Sequence, residues 1–190
     1  MASSKRVHQL KVVLRGARPP IWRRLQVPSD ITLAELHRVV QVAMGWQDYH
    51  LHQFEIAGVT YGVDDGEGWG PAPEDERRTR LDRVADTGTR FAYEYDFGDS
   101  WEHAIMVEEV LDAEEATAYP VCIAGKRACP PEDCGGVWGY EEFLAAVADP
   151  NHEEHDALLE WAGGQFDPEL LDLAAVNRAL TPTGRAASRC

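Results

Sequence analysis

No apolar run in the sequence comes near the roughly 20 residues that a membrane-spanning helix requires. The opening Met-Ala-Ser-Ser-Lys-Arg carries no apolar segment of the kind that heads an exported protein. Both absences predict a cytoplasmic protein. Positive charge is scarce: 18 Lys and Arg stand against 33 Asp and Glu, a formal net charge of -15. A polyanion would be repelled at long range unless the cations gathered on one surface, so nucleic acid is a disfavoured partner. Two local gatherings exist, Arg15, Arg18, Arg23 and Arg24, and then Arg77, Arg78 and Arg80. They read either as solvated arginines on strands and loops or as a face for an anionic partner. There are four cysteines, Cys122, Cys129, Cys134 and Cys190. In a reducing compartment they are expected as thiols. Also missing are a Walker loop, a dinucleotide fingerprint, a Gly-x-Ser-x-Gly elbow, a His-Glu-x-x-His helix and any internal repeat.

What is present is an ordinary globular composition, 44% hydrophobic and 27% charged over 190 residues, which suits a single domain with a real core. Leu10, Val12 and Leu14 recur at period two, as do Ile21, Leu25 and Val27, which predicts two strands joined across Gly16–Pro20. Thr32 with Glu35 three positions on is a capping-box pattern, and Leu33, Leu36, Val40, Ala43 and Met44 follow at helical spacing up to Gly45. Residues 51–61 return to extended character with a turn at Ala57-Gly58. The stretch 62–80 holds four glycines and two prolines and reads as a long loop, a possible lid, with Trp69 within it.

Phe91, Tyr93, Tyr95 and Phe97 alternate with Ala92, Glu94 and Asp96, the clearest strand in the chain, and a second runs from Trp101 to about Val110. A two-residue Gly98-Asp99 turn would set His103 opposite Glu94. A three-residue loop 98–100 would set it opposite Tyr95 and put Trp101, His103, Ile105 and Val107 on the aromatic face. Burial favours the second register. Helical spacing returns at 140–147 and 152–161, and Asp167-Pro168-Glu169 predicts a further helix start.

The order strand, strand, helix, strand predicts an α+β fold. Its β-grasp (ubiquitin-like) core is a mixed sheet packed on one helix, with an additional β-hairpin and a C-terminal set of short helices. A single domain covers 1–181: core 7–111, a Cys/Pro/Gly-rich connector 112–139 and a helical part 140–181. The tail 182–190 is small and polar and should fray.

Three constellations could carry chemistry. Cys122, Cys129 and Cys134, spaced Cys-x6-Cys-x4-Cys in the connector, suit zinc, with His103 or Asp133 as fourth ligand. They serve equally as small buried apolar side chains. His50 and His52 fall on one strand face, able to chelate an ion or merely to border the core near Trp46 and Phe54. Asp96, Asp99 and His103 crowd one tight turn, where carboxylates and an imidazole can hold a cation or share protons, and where a short loop also needs Asp and Gly. Asp96-Phe97-Gly98 matches the magnesium tripeptide of protein kinases, but the motifs that accompany it there are missing.

Four stretches together carry a family resemblance. They are Leu14-Arg15-Gly16 through Pro19-Pro20-Ile21-Trp22-Arg23-Arg24, Met44-Gly45-Trp46 through His50-Leu51-His52-Gln53-Phe54, Tyr93-Glu94-Tyr95-Asp96-Phe97-Gly98-Asp99-Ser100-Trp101-Glu102-His103, and Cys129-Pro130-Pro131-Glu132-Asp133 through Gly139-Tyr140. In this order the chain resembles the plasmid pRiA4b ORF-3-like family over about residues 7–181. The resemblance implies no particular reaction. Family members also bear the label insertion-element passenger TnpR, which implies a resolvase. A serine recombinase needs an activated serine among arginines and a basic DNA-binding helix. Here Ser3 and Ser4 lie in the N-terminal tail and the C-terminal helices are acidic. The residues suit a metal-stabilised (zinc) binding module for a protein or anionic partner. The alternatives are a metal-dependent enzyme using His50, His52, Asp96, Asp99 and His103, or a DNA-acting accessory of mobile elements.

Overall fold

A computed structural model describes residues 5–64, 66 and 71–181. Trp69, Ser3, Ser4, Cys190 and the tail 182–190 lie outside the described residues. In chain order the elements are β1 (Arg6–Leu14), β2 (Trp22–Pro28), α1 (Leu33–Met44), β3 (His52–Ile56), β4 (Val59–Gly62), β5 (Glu74–Asp75) and α2 (Leu81–Val84). There follow β6 (Arg90–Tyr95), β7 (Trp101–Asp112), β8 (Val121–Lys126), α3 (Gly136–Ala148), α4 (His155–Trp161) and α5 (Leu173–Leu180).

The strands form one sheet in the order β5-β4-β3-β6-β7-β1-β2-β8, and the expected mixed α+β architecture holds. The grasp description is not confirmed: β1 lies between β2 and β7, antiparallel to both, and the parallel pairing is the short β4–β5 edge. Nor is β6–β7 an additional hairpin. It sits mid-sheet between β3 and β1, with Phe91, Tyr93, Tyr95, Trp101, Ile105 and Val107 buried on its core face.

One face of the sheet is the core. Leu10, Val12, Leu25, Val27, Phe54, Tyr93, Tyr95, Trp101 and Val107 point into it, and α1 covers it with Leu33, Leu36, Val40 and Met44. Local chemistry starts and stops that helix as the sequence predicts. Thr32 Oγ1 accepts from Glu35 N at 3.2 Å while Glu35 Oε2 accepts from Thr32 N at 2.9 Å. Gly45 ends the helix at φ 92°, where a Cβ would be strained. The cap is worth about 1 kcal/mol.

Arg23 is the exception on the core face. It continues the Ile21, Leu25, Val27 alternation and is 2% exposed. Its guanidinium donates to the carbonyls of Ala43 (2.8 Å), Trp22 (2.9 Å) and Lys126 (3.1 Å), and to Cys129 Sγ (3.3 Å). Arg24, one residue on, faces the other side and forks onto Glu108 at 2.6 and 2.8 Å.

Four sequence expectations need correction. His103 pairs with Tyr93, and Tyr95 with Trp101, so the β6–β7 connection is residues 96–100, longer than either register considered. The shared face survives for Phe91, Tyr93 and Tyr95, because the shift is two residues, a whole side-chain period, but Phe97 falls beyond the strand and is exposed. Asp96 (φ 57°) and Ser100 (φ 53°) take left-handed backbone there, and Asp96 Oδ1 accepts from Gly98 N at 2.9 Å. The loop 62–80 contains β5, and its end is docked: Leu33 N donates to Thr79 O and Ala34 N to Glu76 O. Within the connector, β8 pairs with β2 and has its outer edge closed by Asn177, whose amide bonds both backbone groups of Cys122 at 2.7 and 2.9 Å. The last helix begins at Leu173 on an Asp172 cap rather than at Asp167.

Candidate metal centre

Four histidines lie on or beside the core, and their surroundings differ: His8 bonds Ser29 and the Ala85 carbonyl, while His37, His52 and His103 lie under the aromatic centre of the sheet face. His37, on the buried stripe of α1, stacks on His52 of β3 with ring centroids 3.4 Å apart and planes 3° from parallel. His37 Nε2 meets Asp48 Oδ1 at 2.8 Å, and His52 Nε2 meets Glu76 Oε2 at 2.8 Å. The side chains of His37, His52 and Glu76 are 4%, 9% and 4% exposed, whereas Asp48 is 46% exposed. Donor atoms of His37, Asp48 and His52 all fall within 4.8 Å of one another.

Each member is placed by a different device. The capping box fixes the phase of α1 and so turns residue 37 inward with Leu33, Leu36 and Val40. Asp48 takes φ 61° just beyond the helix, and its N–H donates to Gln41 Oε1 at 3.2 Å. Glu76 follows the two-residue strand β5, and its carbonyl accepts from the first turn of α1. Behind His37, Nδ1 lies 2.8 Å from the Tyr93 hydroxyl, which also accepts from Gln41 Nε2 at 2.9 Å. Burial holds Tyr93 far up as a phenol. It can therefore donate to Nδ1, or accept from it when the ring proton sits there, the tautomer that frees Nε2 for an ion.

Burial, and next the neighbouring His52, push His37 down to about 4, with Asp48 opposing. At neutral pH the His37 imidazole is therefore unprotonated beside the half-exposed Asp48 carboxylate.

The second group lies at the end of the sheet. His50 Nε2 is 2.9 Å from Asp133 Oδ1 and 3.6 Å from Asp96 Oδ2, and the His50 side chain is 32% exposed. The connector reaches this place because it is pinned there: Trp46 Nε1 donates to Pro130 O at 3.0 Å, Gln47 N to Glu132 Oε2 at 3.0 Å and the Tyr95 hydroxyl to Glu132 Oε1 at 2.6 Å. Glycine is required at the same docking point, since a Cβ on Gly136 would stand 2.5 Å from Asp99 O.

The residues singled out from sequence are thus divided. His52 joins the first group, while His50 and Asp96 join the second. The two imidazoles do not share a strand face, because β3 begins only at His52. Asp99 Oδ2 caps Gly135 N at 3.1 Å. His103 is fully buried, edge-on to Trp46, and neither ring nitrogen has a hydrogen-bond partner. Burial pushes it down to about 4, opposed by the backbone of Trp101 and Tyr93.

The cysteines have separate surroundings: Cys122 in β8 beside Ala124 O, Cys129 between Arg23 and Met44 Sδ, Cys134 near Gly136 O. Neither donor group within 4.8 Å contains a thiol or His103. Burial raises Cys129 to about 11, and burial with Asp99 raises Cys134 to about 12, so both keep their protons.

His37, Asp48 and Glu76 were not singled out from sequence. A histidine on an apolar helix stripe was the available sign for the first. Glu76 gives none, being one acid in an acidic stretch.

Fold and site together define an α+β protein with a buried histidine–carboxylate centre between its helix and its sheet. The chain belongs to the plasmid pRiA4b ORF-3-like protein family, whose sequence profile matches residues 6–175. It is 45% identical over 177 residues to the uncharacterized protein y4hQ of Sinorhizobium fredii (strain NBRC 101917 / NGR234), covering 92% of this chain and 90% of that protein. It is also similar to the crystal structure of a protein of unknown function, MM3350 from Methanosarcina mazei Go1. That match has a TM-score of 0.82 at 40% identity, over 90% of this chain and 98% of that one. Among the described residues no helix is long and apolar enough to cross a membrane.

Proposed function

We propose that the chain is a metal-stabilised binding module whose ion is held by His37, His52 and Asp48, with Glu76 beside His52. The carrying observation is that donor atoms of His37, His52 and Asp48 lie within 4.8 Å of one another; the two parallel rings would have to turn out of their stack for one ion to lie in both ring planes. Nitrogen and oxygen donors suit zinc and its first-row divalent neighbours. Were an ion bound, His37, His52 and Asp48 would supply its donor atoms, and protons shared in the 2.8 Å nitrogen–carboxylate pairs would be released to solvent. Support for a thiolate zinc site is weaker, since neither donor group among the described residues includes a thiol. Support for a DNA-acting role is weaker too, because Arg23 is buried while Arg24 and Arg15 are paired with Glu108 and Glu102.

Protein stripped with chelator and titrated with Zn²⁺ should take up one ion per chain and melt higher. Co²⁺ in its place should give the weak visible bands of nitrogen and oxygen ligands. Intense near-ultraviolet bands would mark thiolate ligation instead, and failure of Zn²⁺, Co²⁺, Ni²⁺ and Mn²⁺ alike to bind at micromolar levels would end the proposal. A metal-dependent enzyme is the second reading. It is favoured by the 46% exposure of Asp48, which leaves one side of the centre open to solvent. An anion such as azide should then shift the Co²⁺ spectrum, as it would not at a closed structural site.

A further inference from the structure

A cleft of about 570 Å³ lies between α3 and α4, within the range of roughly 300–1,000 Å³ usual for small-ligand sites. Its floor is apolar, with Phe143 and Leu158, and Trp161 stands over it half exposed, its ring 5.9 Å from that of Phe143 at 72°. Around this floor sit the carboxylates of Asp133, Glu142 and Glu154, and no lysine or arginine lines the cleft. His152 and Cys134 complete its ionisable groups, and Cys134 keeps its proton.

We infer that this cleft binds an organic cation: an ammonium or guanidinium group carried on an apolar stem. Charge and shape select that class over its neighbours. A neutral apolar guest would strip water from three carboxylates and give nothing back. A bare metal ion needs converging donors, and among the described residues neither Glu142 nor Glu154 belongs to a donor group within 4.8 Å. An ammonium can lie against the Trp161 ring, where the quadrupole attracts it, with carboxylates in reach and its methylenes against Leu158. Asp133 serves both this cleft and the His50 group, so the cleft opens beside the pinned connector. The site does not involve His37 or His52 and stands independently of the metal reading.

The cation can come from a free amine or from a lysine or arginine side chain of a peptide, and calorimetric titration separates the two. Hexylamine and acetyl-Gly-Lys-Gly-amide are the probes, and 1-hexanol is the neutral control. One cation should bind per chain, at least tenfold tighter than hexanol, and more weakly as salt rises from 20 to 300 mM. Tighter binding of the peptide assigns a protein partner, and tighter binding of the amine assigns a free ligand. The paired change Glu142→Gln with Glu154→Gln touches exposed side chains, should leave melting unchanged, and should weaken binding at least tenfold. Chelator treatment should alter none of this. The inference is overturned if neither cation binds at millimolar concentration, if hexanol binds equally well, or if the Gln variant binds as tightly as the parent.

Discussion

His37 and His50 both face carboxylates at hydrogen-bond distance, yet one is buried between α1 and the sheet and the other opens to solvent at the end of the sheet. Identical residue types therefore do different things. Beneath the helix, desolvation decides protonation, and a charge left unpaired is costly. At the sheet end, water screens the pair, which contributes little to stability. His103 takes burial further still, with no partner for either nitrogen.

Acid should expose this difference most strongly. Burial holds His103 at about 4 against its ordinary 6.5, so the unfolded chain takes up the proton first as pH falls. Stability is then full above about pH 6.5 and is lost progressively toward pH 4, by about 3 kcal/mol from this group. Urea denaturation across that range should show the slope, and His103→Leu should lessen it, while His37, also held down to about 4, keeps its own share. An unchanged slope in that variant would place the acid sensitivity elsewhere.

Next in size is the proposed metal centre. Removal of one ligand by His37→Ala or His52→Ala should weaken Zn²⁺ binding at least a hundredfold, about 2.7 kcal/mol, as read by competition with a chelating dye. By contrast, Cys129→Ser and Cys134→Ser should leave the Zn²⁺ stoichiometry untouched. Loss of the ion in either would return the site to the connector. The smallest effect belongs to the exposed group: Asp133→Asn should shift unfolding free energy by no more than about 1 kcal/mol. A larger loss would mean that the connector depends on that pair, and not on its anchors at Trp46 and Tyr95, for its position.

Elements held by near neighbours were legible in the chain. The helix α1 could be read end to end, because Thr32, Glu35 and Gly45 act within one turn of the residues they cap. The strand from Phe91 to Tyr95 could be read from alternation alone. The loop between Asp96 and Ser100 could not, because its length depends on left-handed backbone at two non-glycine residues and on Asp99 docking against Gly135 and Gly136. Likewise β8 has weak strand character of its own and is ordered by β2 on one side and Asn177 on the other. Of the candidate site residues, His52, His50 and Asp96 do reach clustered positions. The pairing expected among them was wrong, since it assumed a strand that starts two residues too early.

Spacing and caps in the amino-acid order were enough to determine an α+β domain with a covered, aromatic-rich sheet, and its membership of a family. Which side chains meet was settled only by tertiary packing. His37 and Asp48 are 11 residues apart, His52 and Glu76 24, and His50 and Asp133 83, each pair brought together by a different element. Capping and alternation act over a few residues and leave a local trace. Convergence of donor atoms depends on how a helix, a two-residue strand and a pinned connector settle on one sheet, and no local pattern records that.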